Sequence, residues 1–198
     1  MLKRKIDKYL ADWLANPNHK PLIVRGARQV GKTESIRLFG KTHFSHFIEI
    51  NFTLQKTYRS IFDTGYEVDT IIKNISHINP SLPFVPGKTL LFFDEMQDCP
   101  DCATALKSFC MDGRYEVICS GSLMGLYYRQ IESNSVGYKE DYILHSMDFE
   151  EFLYANGMNE FAIAALRKKF EARESLDEAM HGKMMDSFKR YLFVGGLP

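Results

Sequence analysis

Eight consecutive residues near the N-terminus match the phosphate-binding loop pattern G-x-x-x-x-G-K-[ST] at every fixed position. They are Gly26, Ala27, Arg28, Gln29, Val30, Gly31, Lys32 and Thr33. The two glycines allow the backbone to turn successive N–H groups towards a phosphate, and a following helix offers its N-terminus to the same anion. Lys32 can reach the β- and γ-phosphates, and the Thr33 hydroxyl can bind Mg²⁺. The pattern predicts a site for a nucleoside triphosphate.

A second set of reactive side chains ends the apolar segment 90–95, whose sequence is Leu-Leu-Phe-Phe-Asp-Glu. Asp94 at the end of a buried strand can hold Mg²⁺ through its water shell. Glu95 can orient or deprotonate an attacking water, which favours hydrolysis over transfer of phosphate to a small substrate. We therefore predict that Thr33 and Asp94 bind the metal and that Lys32 and Glu95 are catalytic. Gln97 could support the water or couple the nucleotide state to a partner.

The next apolar segment, 117–122, ends in two serines. Ser120 and Ser122 could sense the γ-phosphate or fix the attacking water, and the sequence does not separate their roles. The alternative is an ordinary turn from strand to helix with a serine as the helix cap. The guanine-recognition pattern Asn-Lys-x-Asp does not occur in the sequence, so ATP with Mg²⁺ is the favoured pair of ligands.

The elements that position these residues follow from the hydrophobic pattern. Apolar runs predict strands over 22–24, 47–52, 89–94, 115–120 and 142–144, and helical spacing predicts helices over 3–14, 32–39, 68–78, 103–109 and from 175 towards 191. The second helix is expected to stop at Gly40, and the pattern Ser-Leu-Asp-Glu at 175–178 predicts a capping box for the last one. Strands that alternate with helices predict a doubly wound α/β domain.

Charge and composition limit the function classes. The chain has 198 residues, 45% of them hydrophobic, and its 25 basic residues balance 25 acidic ones. A neutral total argues against a dedicated nucleic-acid binder. Residues 1–50 nevertheless carry ten basic and four acidic side chains, so Arg25, Arg28 and Lys32 are expected to face one anionic ligand. No apolar run is long enough to span a membrane, and we expect a cytoplasmic protein.

Two weaker patterns leave alternatives open. Cys99 and Cys102 form a C-x-x-C pair that could bind metal or act in redox chemistry, but incidental thiols are favoured because no second pair has suitable spacing. Aromatic side chains could stack on nucleic-acid bases, although helical spacing around 149–153 favours a packing role. The aromatic residues concerned are Tyr127, Tyr128, Phe149, Phe152 and Tyr154.

Taken together, the motifs resemble those of the AAA+ ATPases. The matching segments are 24–33, 94–97, 120–123, 147–153 and 195–198. More narrowly, they are similar to a bacterial and archaeal group of AAA-family ATP-binding proteins. In that group the ATPase domain precedes a C-terminal domain of unknown function with a nuclease-like fold.

The resemblance implies a P-loop NTPase fold. That fold is a three-layer α/β/α sandwich with a five-stranded parallel sheet, followed by helices, in which the magnesium strand does not adjoin the phosphate-loop strand. The implied organisation is an N-terminal amphipathic helix at 1–20, a P-loop ATPase core at 21–147, and a helical extension at 148–198 that leads to a C-terminal domain outside this sequence.

The resemblance also implies ATP hydrolysis with Mg²⁺ and either self-association or a protein partner. An arginine finger from a neighbouring subunit usually completes an AAA+ site; Arg129 is the candidate here, and the favoured alternative is an ordinary solvated arginine. Related chains often have Gly-Arg where this one has Gly137-Tyr138-Lys139, so the sequence supports no role for that second arginine. Two alternatives are a slow or non-hydrolysing nucleotide-dependent switch and a DNA-associated ATPase. The neutral charge does not support the second.

Overall fold

The computed structural model describes residues 2–122 and 135–198. The strands are β1 (Leu22–Gly26), β2 (His46–Asn51), β3 (Thr89–Asp94), β4 (Glu116–Ser122) and β5 (Glu140–Ile143). The α-helices of the described residues are α1 (Lys5–Ala15), α2 (Lys32–His43), α3 (Val68–Ile78), α4 (Asp101–Asp112), α5 (Phe149–Ala155), α6 (Glu160–Ala172) and α7 (Glu178–Val194). Two 3₁₀ helices, Lys56–Phe62 and Met96–Asp98, complete the set of helices described.

The five strands form one parallel sheet in the order β2-β3-β4-β1-β5. This order confirms the doubly wound α/β prediction. Strand β4 separates β3, which carries Asp94, from β1, which leads into the phosphate loop, as the resemblance implied. Every residue of β3 is buried, as expected of a central strand covered on both faces.

Helices cover both faces of the sheet and create two hydrophobic cores. On one face α3 and α4 contribute Ile71, Ile75, Leu106 and Phe109 to a cluster with side chains of β2, β3 and β4. On the other face α1 and α2 pack a second set against the sheet, which includes Ile6, Leu10, Trp13, Ile36 and Phe39. The three-layer α/β/α sandwich is therefore confirmed.

Helix α2 corrects one prediction. It was expected to stop at Gly40, but it continues to His43. Gly40 lies against β2, where an added Cβ would overlap the ring of Phe47. The glycine therefore allows close contact between helix and sheet, and it does not end the helix.

The last helix corrects a second prediction. Ser175 was expected to cap it and Glu178 to complete the capping box, but the N-cap is Asp177, whose side chain accepts a hydrogen bond from the Met180 N–H at 2.9 Å. Aspartate is as good an N-cap as serine, and here it lies directly before the first helical residue. The helix also runs past Tyr191 to Val194.

The aromatic residues of α5 pack against α7. The ring centroids of Phe149 and Phe188 lie 5.2 Å apart, and those of Phe152 and Tyr191 lie 5.3 Å apart. These contacts confirm the packing role that helical spacing favoured. Tyr127 and Tyr128 lie outside the described residues. No helix of the described part of the chain is both long and apolar enough to cross a membrane.

Candidate nucleotide-binding site

The phosphate loop joins the end of β1 to the start of α2, and its two fixed glycines are required for different reasons, a backbone conformation and a close contact. Gly31 is the N-cap of α2 and has a φ of +93°, which favours glycine. An added Cβ on Gly26 would overlap the carbonyl oxygen of Leu144, just beyond β5. Both fixed glycines of the motif are therefore needed for this loop to form.

Lys32 folds back over the loop that precedes it. Its Nζ donates hydrogen bonds to the carbonyl oxygens of Gly26 at 3.0 Å and Ala27 at 2.7 Å. Burial lowers the pKa of Lys32, and the negative charges of Glu95 and Asp94 partly oppose that shift. The ammonium group is thus held by the loop and feels the negative charge of both carboxylates.

Asp94 gathers four hydrogen-bond donors at the carboxyl end of β3, where it is only 2% exposed. Thr33 Oγ1 lies 3.2 Å from its Oδ2, and Asn51 Nδ2 donates to the same oxygen at 3.0 Å. The Glu95 N–H donates to Oδ1 at 3.1 Å, and the Ser120 hydroxyl donates to the same atom. These donors fix the orientation of the Asp94 carboxylate.

Glu95 leaves the strand in a left-handed backbone conformation with a φ of +56°. The Gln97 amide N–H donates a hydrogen bond to its carboxylate. The Gln97 oxygen accepts from the Ser122 N–H at 3.3 Å, and an added Cβ on Gly121 would come within 3.1 Å of that oxygen. Gln97 therefore joins Glu95 to the end of β4.

The structure separates the two serines that the sequence left equivalent. Ser120 is fully buried, and its hydroxyl donates to Asp94. Ser122 is partly exposed and uses its backbone N–H, which donates to Gln97. Strand β4 reaches Ser122, two residues beyond the predicted end. Arg129 and the connection after Ser122 lie outside the described residues.

A cleft with a volume of about 1160 Å³ opens beside these residues. That volume suits a ligand the size of a nucleoside triphosphate. Predicted site residues in its lining are Arg28, Gln29, Gly31, Lys32, Thr33 and Glu95. Other predicted residues contact this lining through hydrogen bonds: Lys32 bonds to Gly26 and Ala27, and Thr33 bonds to Asp94. The Val30 side chain is buried.

Among the residues of the cleft that sequence reasoning missed, Asn51 and Arg4 make the contacts that matter most for the site. Asn51 ends β2 in register with Asp94, and a polar residue at the carboxyl end of a parallel strand was a signal that could have found it. Arg4 also lines the cleft, 26 positions before Val30, whose carbonyl accepts from its Nη1 at 2.9 Å. The sequence gives no signal for that contact, because only tertiary packing brings it about.

Arg25 was expected to face the same anionic ligand as Arg28 and Lys32, but the structure places it elsewhere. Its Nη2 lies 2.8 Å from Asp141 Oδ1 on the neighbouring strand β5, and it is not part of the lining of the cleft among the described residues. Of the three cations expected to face one ligand, Arg28 and Lys32 reach the cleft. Arg25 does not reach the cleft because it lies within strand β1, beside β5, and not in the loop that follows the strand.

Three of the four cysteines, Cys99, Cys102 and Cys119, belong to the hydrophobic core around α4, and Cys110 is partly exposed. Cys102 Sγ lies 3.6 Å from Cys119 Sγ, and both residues are fully buried. Burial raises the pKa of Cys99 to about 11, which disfavours the reactive thiolate. Within 2–122 and 135–198, no group of three or more His, Cys, Asp or Glu residues is arranged to hold a metal ion by itself.

The chain matches a known protein family over the region that contains this site. A family model described as AAA domain matches residues 18–153, which is more than half of the chain. The chain belongs to the AAA domain family. The match begins just before β1 and ends within α5, so it includes the phosphate loop, β3 with Asp94, and the described part of β4.

One curated relative of this AAA domain is the replication factor C large subunit of Methanosphaera stadtmanae. The two are 30% identical over 79 residues, which are 33% of this chain and 15% of that protein. The AAA domain described here therefore spans only a small part of that relative's length.

Three solved structures share lower similarity with this AAA domain, each at 13% identity. Drosophila ORC bound to DNA has a TM-score of 0.49, with 75% of this chain and 44% of that chain covered. The Aeropyrum pernix ORC1 protein in complex with DNA has a TM-score of 0.45, with 77% and 47% covered. Thermotoga maritima RuvB, a Holliday junction branch migration motor, has a TM-score of 0.46, with 77% and 49% covered.

Proposed function

We propose that this AAA domain binds ATP together with Mg²⁺ and hydrolyses the bond to the γ-phosphate. The observation that carries the proposal is the convergence of Lys32, Thr33, Asp94 and Glu95 at one cleft. Three of these residues line it, and Asp94 contacts one of those three at 3.2 Å. Membership of the family supports a nucleotide as the ligand.

The phosphates would occupy the place that Lys32 and the loop define. The loop's N–H groups and the N-terminus of α2 provide partial positive charge, and Lys32 provides a full one. Since Lys32 now donates to the carbonyl oxygens of Gly26 and Ala27, phosphate oxygens would replace those acceptors when nucleotide binds. Arg28, exposed at the rim of the cleft, adds a second cation.

The oxygen atoms of Thr33 and Asp94 fit a magnesium ion. Mg²⁺ prefers oxygen ligands, keeps several waters, and in nucleotide sites takes few protein ligands besides the phosphates. A hydroxyl and a carboxylate 3.2 Å apart at the edge of the cleft meet that need. When bound, the ion would neutralise charge that develops on the phosphate oxygens.

Glu95 would act on the attacking water. The water oxygen forms a bond to the γ-phosphorus, the bond from that phosphorus to the β–γ bridging oxygen breaks, and Glu95 accepts the proton that the water loses. The products are ADP and inorganic phosphate. Gln97 would orient the Glu95 carboxylate, because its amide N–H already donates to it.

ATP binding with and without Mg²⁺ tests the first half of the proposal. Lys32→Ala should weaken ATP binding by at least about tenfold, since it removes a charge-assisted contact to phosphate. Lys41→Ala removes an exposed lysine from the same helix and should leave the affinity unchanged. Equal affinities for wild type and Lys32→Ala would reject this site.

Measurements of phosphate release and DNA binding on the same protein distinguish hydrolysis from the two alternatives that the sequence left open. Tight ATP binding without phosphate release that depends on Glu95 would indicate a regulatory switch. Release stimulated by DNA, with an affinity for DNA that falls as salt rises, would indicate a DNA-associated ATPase. A turnover rate per molecule that rises with protein concentration would indicate self-association at the site.

A further inference from the structure

One buried cluster connects the phosphate loop to the helices that follow the sheet. We call it the Arg4 cluster; it consists of Arg4, Glu151 and the carbonyl groups of Val30 and His145. Arg4 Nε lies 3.1 Å from Glu151 Oε1, Nη1 donates to the Val30 oxygen at 2.9 Å, and Nη2 donates to the His145 oxygen at 2.9 Å. One guanidinium thus joins four parts of the chain.

The charges of the Arg4 cluster are removed from solvent and hydrogen-bonded. The side chains of Arg4 and Glu151 are 4% and 6% exposed. Glu151 also accepts hydrogen bonds from the backbone N–H groups of Lys5 at 2.7 Å and Asp148 at 3.1 Å. A buried ion pair contributes little net stability, so its geometry is the more informative property. Only the planar fork of arginine can reach three acceptors in these directions.

The position of Arg4 beneath the loop gives that geometry a role. Val30 immediately precedes Gly31, and an added Cβ on Gly31 would lie 3.3 Å from Arg4 Nη1. Arg4 also lines the cleft, whereas Glu151 is not among the described residues that line it. The contact fixes the direction of the Val30 carbonyl, and therefore the direction of the next peptide N–H in the loop.

We propose that Arg4 is a positioning residue that holds the phosphate loop in its nucleotide-binding conformation and couples nucleotide binding to helix α5. The inference rests on the proposed function, because it concerns the affinity of the same site. Glu151 acts through Arg4, so a substitution more remote from the cleft should still change nucleotide affinity.

Glu151→Gln tests this from the far end of the cluster. Glutamine keeps the length of the side chain and is accepted at this position of a capping box, but it lacks the charge that pairs with Arg4. We expect its Kd for MgATP to rise about tenfold, the change for one lost charge-assisted hydrogen bond. Arg4→Lys should show the same rise, and the double variant should add little because both changes act on one cluster.

Lys5→Gln is the matched control. The Lys5 side chain also pairs with the first turn of α5, through Asp148 and through Glu150 Oε2 at 3.7 Å, but it makes no contact with the phosphate loop. Its Kd should equal that of the wild type. A purely structural role for the cluster would lower the folded fraction, and so the amplitude of binding, without a change in Kd.

Hydrogen exchange provides the second readout. In the wild type, MgATP should slow amide exchange in both the phosphate loop and α5, and in Arg4→Lys at saturating MgATP only the loop should respond. Wild-type binding with an unchanged Kd in Glu151→Gln, or with no response of α5, would overturn the inference and leave the proposed function intact. Failure of the wild type to bind MgATP would overturn both.

Discussion

The Thr33 hydroxyl lies 3.2 Å from Asp94 Oδ2, although 61 positions separate the two residues in the chain. Thr33 is the second residue of helix α2 and Asp94 ends strand β3, and β4 lies between β3 and the strand that leads to α2. The carboxyl ends of parallel strands meet at one edge of the sheet, where crossover loops place ligand-binding groups. The metal site proposed here follows from that arrangement.

Asp94→Asn should remove the effect of Mg²⁺ on ATP affinity. The loss of a carboxylate that orders the water shell of the metal should weaken Mg²⁺-dependent binding by about 10–100-fold. ATP titrations at several Mg²⁺ concentrations measure the effect. Asp101→Asn is a suitable control, because Asp101 is an exposed carboxylate at the start of α4 that accepts from the Tyr66 hydroxyl. An unchanged dependence on Mg²⁺ in Asp94→Asn would contradict the assignment.

The two serines of β4 should differ in their effect on stability. Ser120→Ala removes a fully buried hydroxyl that donates to Asp94, and it should lower the free energy of unfolding by about 1–3 kcal/mol. Ser122→Ala should have little effect, since Ser122 contacts Gln97 through its backbone N–H. Urea unfolding of the two variants makes the comparison, and equal destabilisation would show that the Ser120 hydrogen bond has no special weight.

Gly40→Ala should destabilise the protein even though alanine favours helices. The added methyl would overlap Phe47 and lie 3.1 Å from Leu90 Cδ2, so the free energy of unfolding should fall by about 1–3 kcal/mol. Gly182 lies within α7 with nothing near its missing Cβ, so Gly182→Ala should stabilise by about 0.5–1 kcal/mol. Thermal melts of both variants suffice, and a shift of the same sign in each would argue against the close contact.

His19 should make stability depend on pH. Burial alone would lower its pKa, but hydrogen bonds with Glu116 at 2.6 Å and the Asn16 carbonyl at 2.5 Å raise the pKa above 6.5. A raised pKa in the folded state stabilises below the unfolded pKa, and this contribution is lost as pH rises through the folded value. The ion pair is partly exposed, so the change should stay below about 1 kcal/mol.

This expectation is tested by measuring the free energy of unfolding from about pH 5.5 to about pH 8.5, a range that spans the ordinary histidine pKa. The wild type should lose stability over that range more steeply than His19→Gln, which has no group to titrate there. Parallel pH profiles would show that the contact with Glu116 does not persist in solution.

The sequence predicted the core of the fold well because the signals there are local. The apolar run at 89–94 and the helical spacing at 68–78 match β3 and α3 residue for residue. The phosphate-loop motif requires a strand before it and a helix after it, and β1 and α2 are present at those places.

The errors and omissions have a common physical origin in tertiary contacts. Gly40 resembles a helix stop, but the approach of Phe47 explains it. Arg25 lies close to the loop in sequence, yet its partner is Asp141 on a neighbouring strand. Arg4 reaches Glu151 across 147 positions, a contact that no spacing rule could have indicated.

Hydrolysis at this site is tested by measuring phosphate release and ATP binding for wild type and Glu95→Gln side by side. Glutamine keeps the size of the side chain and can still form a hydrogen bond with Gln97, but it cannot accept a proton from water. We predict equal ATP affinity and a turnover rate lower by about 100-fold in the variant. Equal rates of phosphate release, or ATP binding without release in the wild type, would contradict hydrolysis at this site.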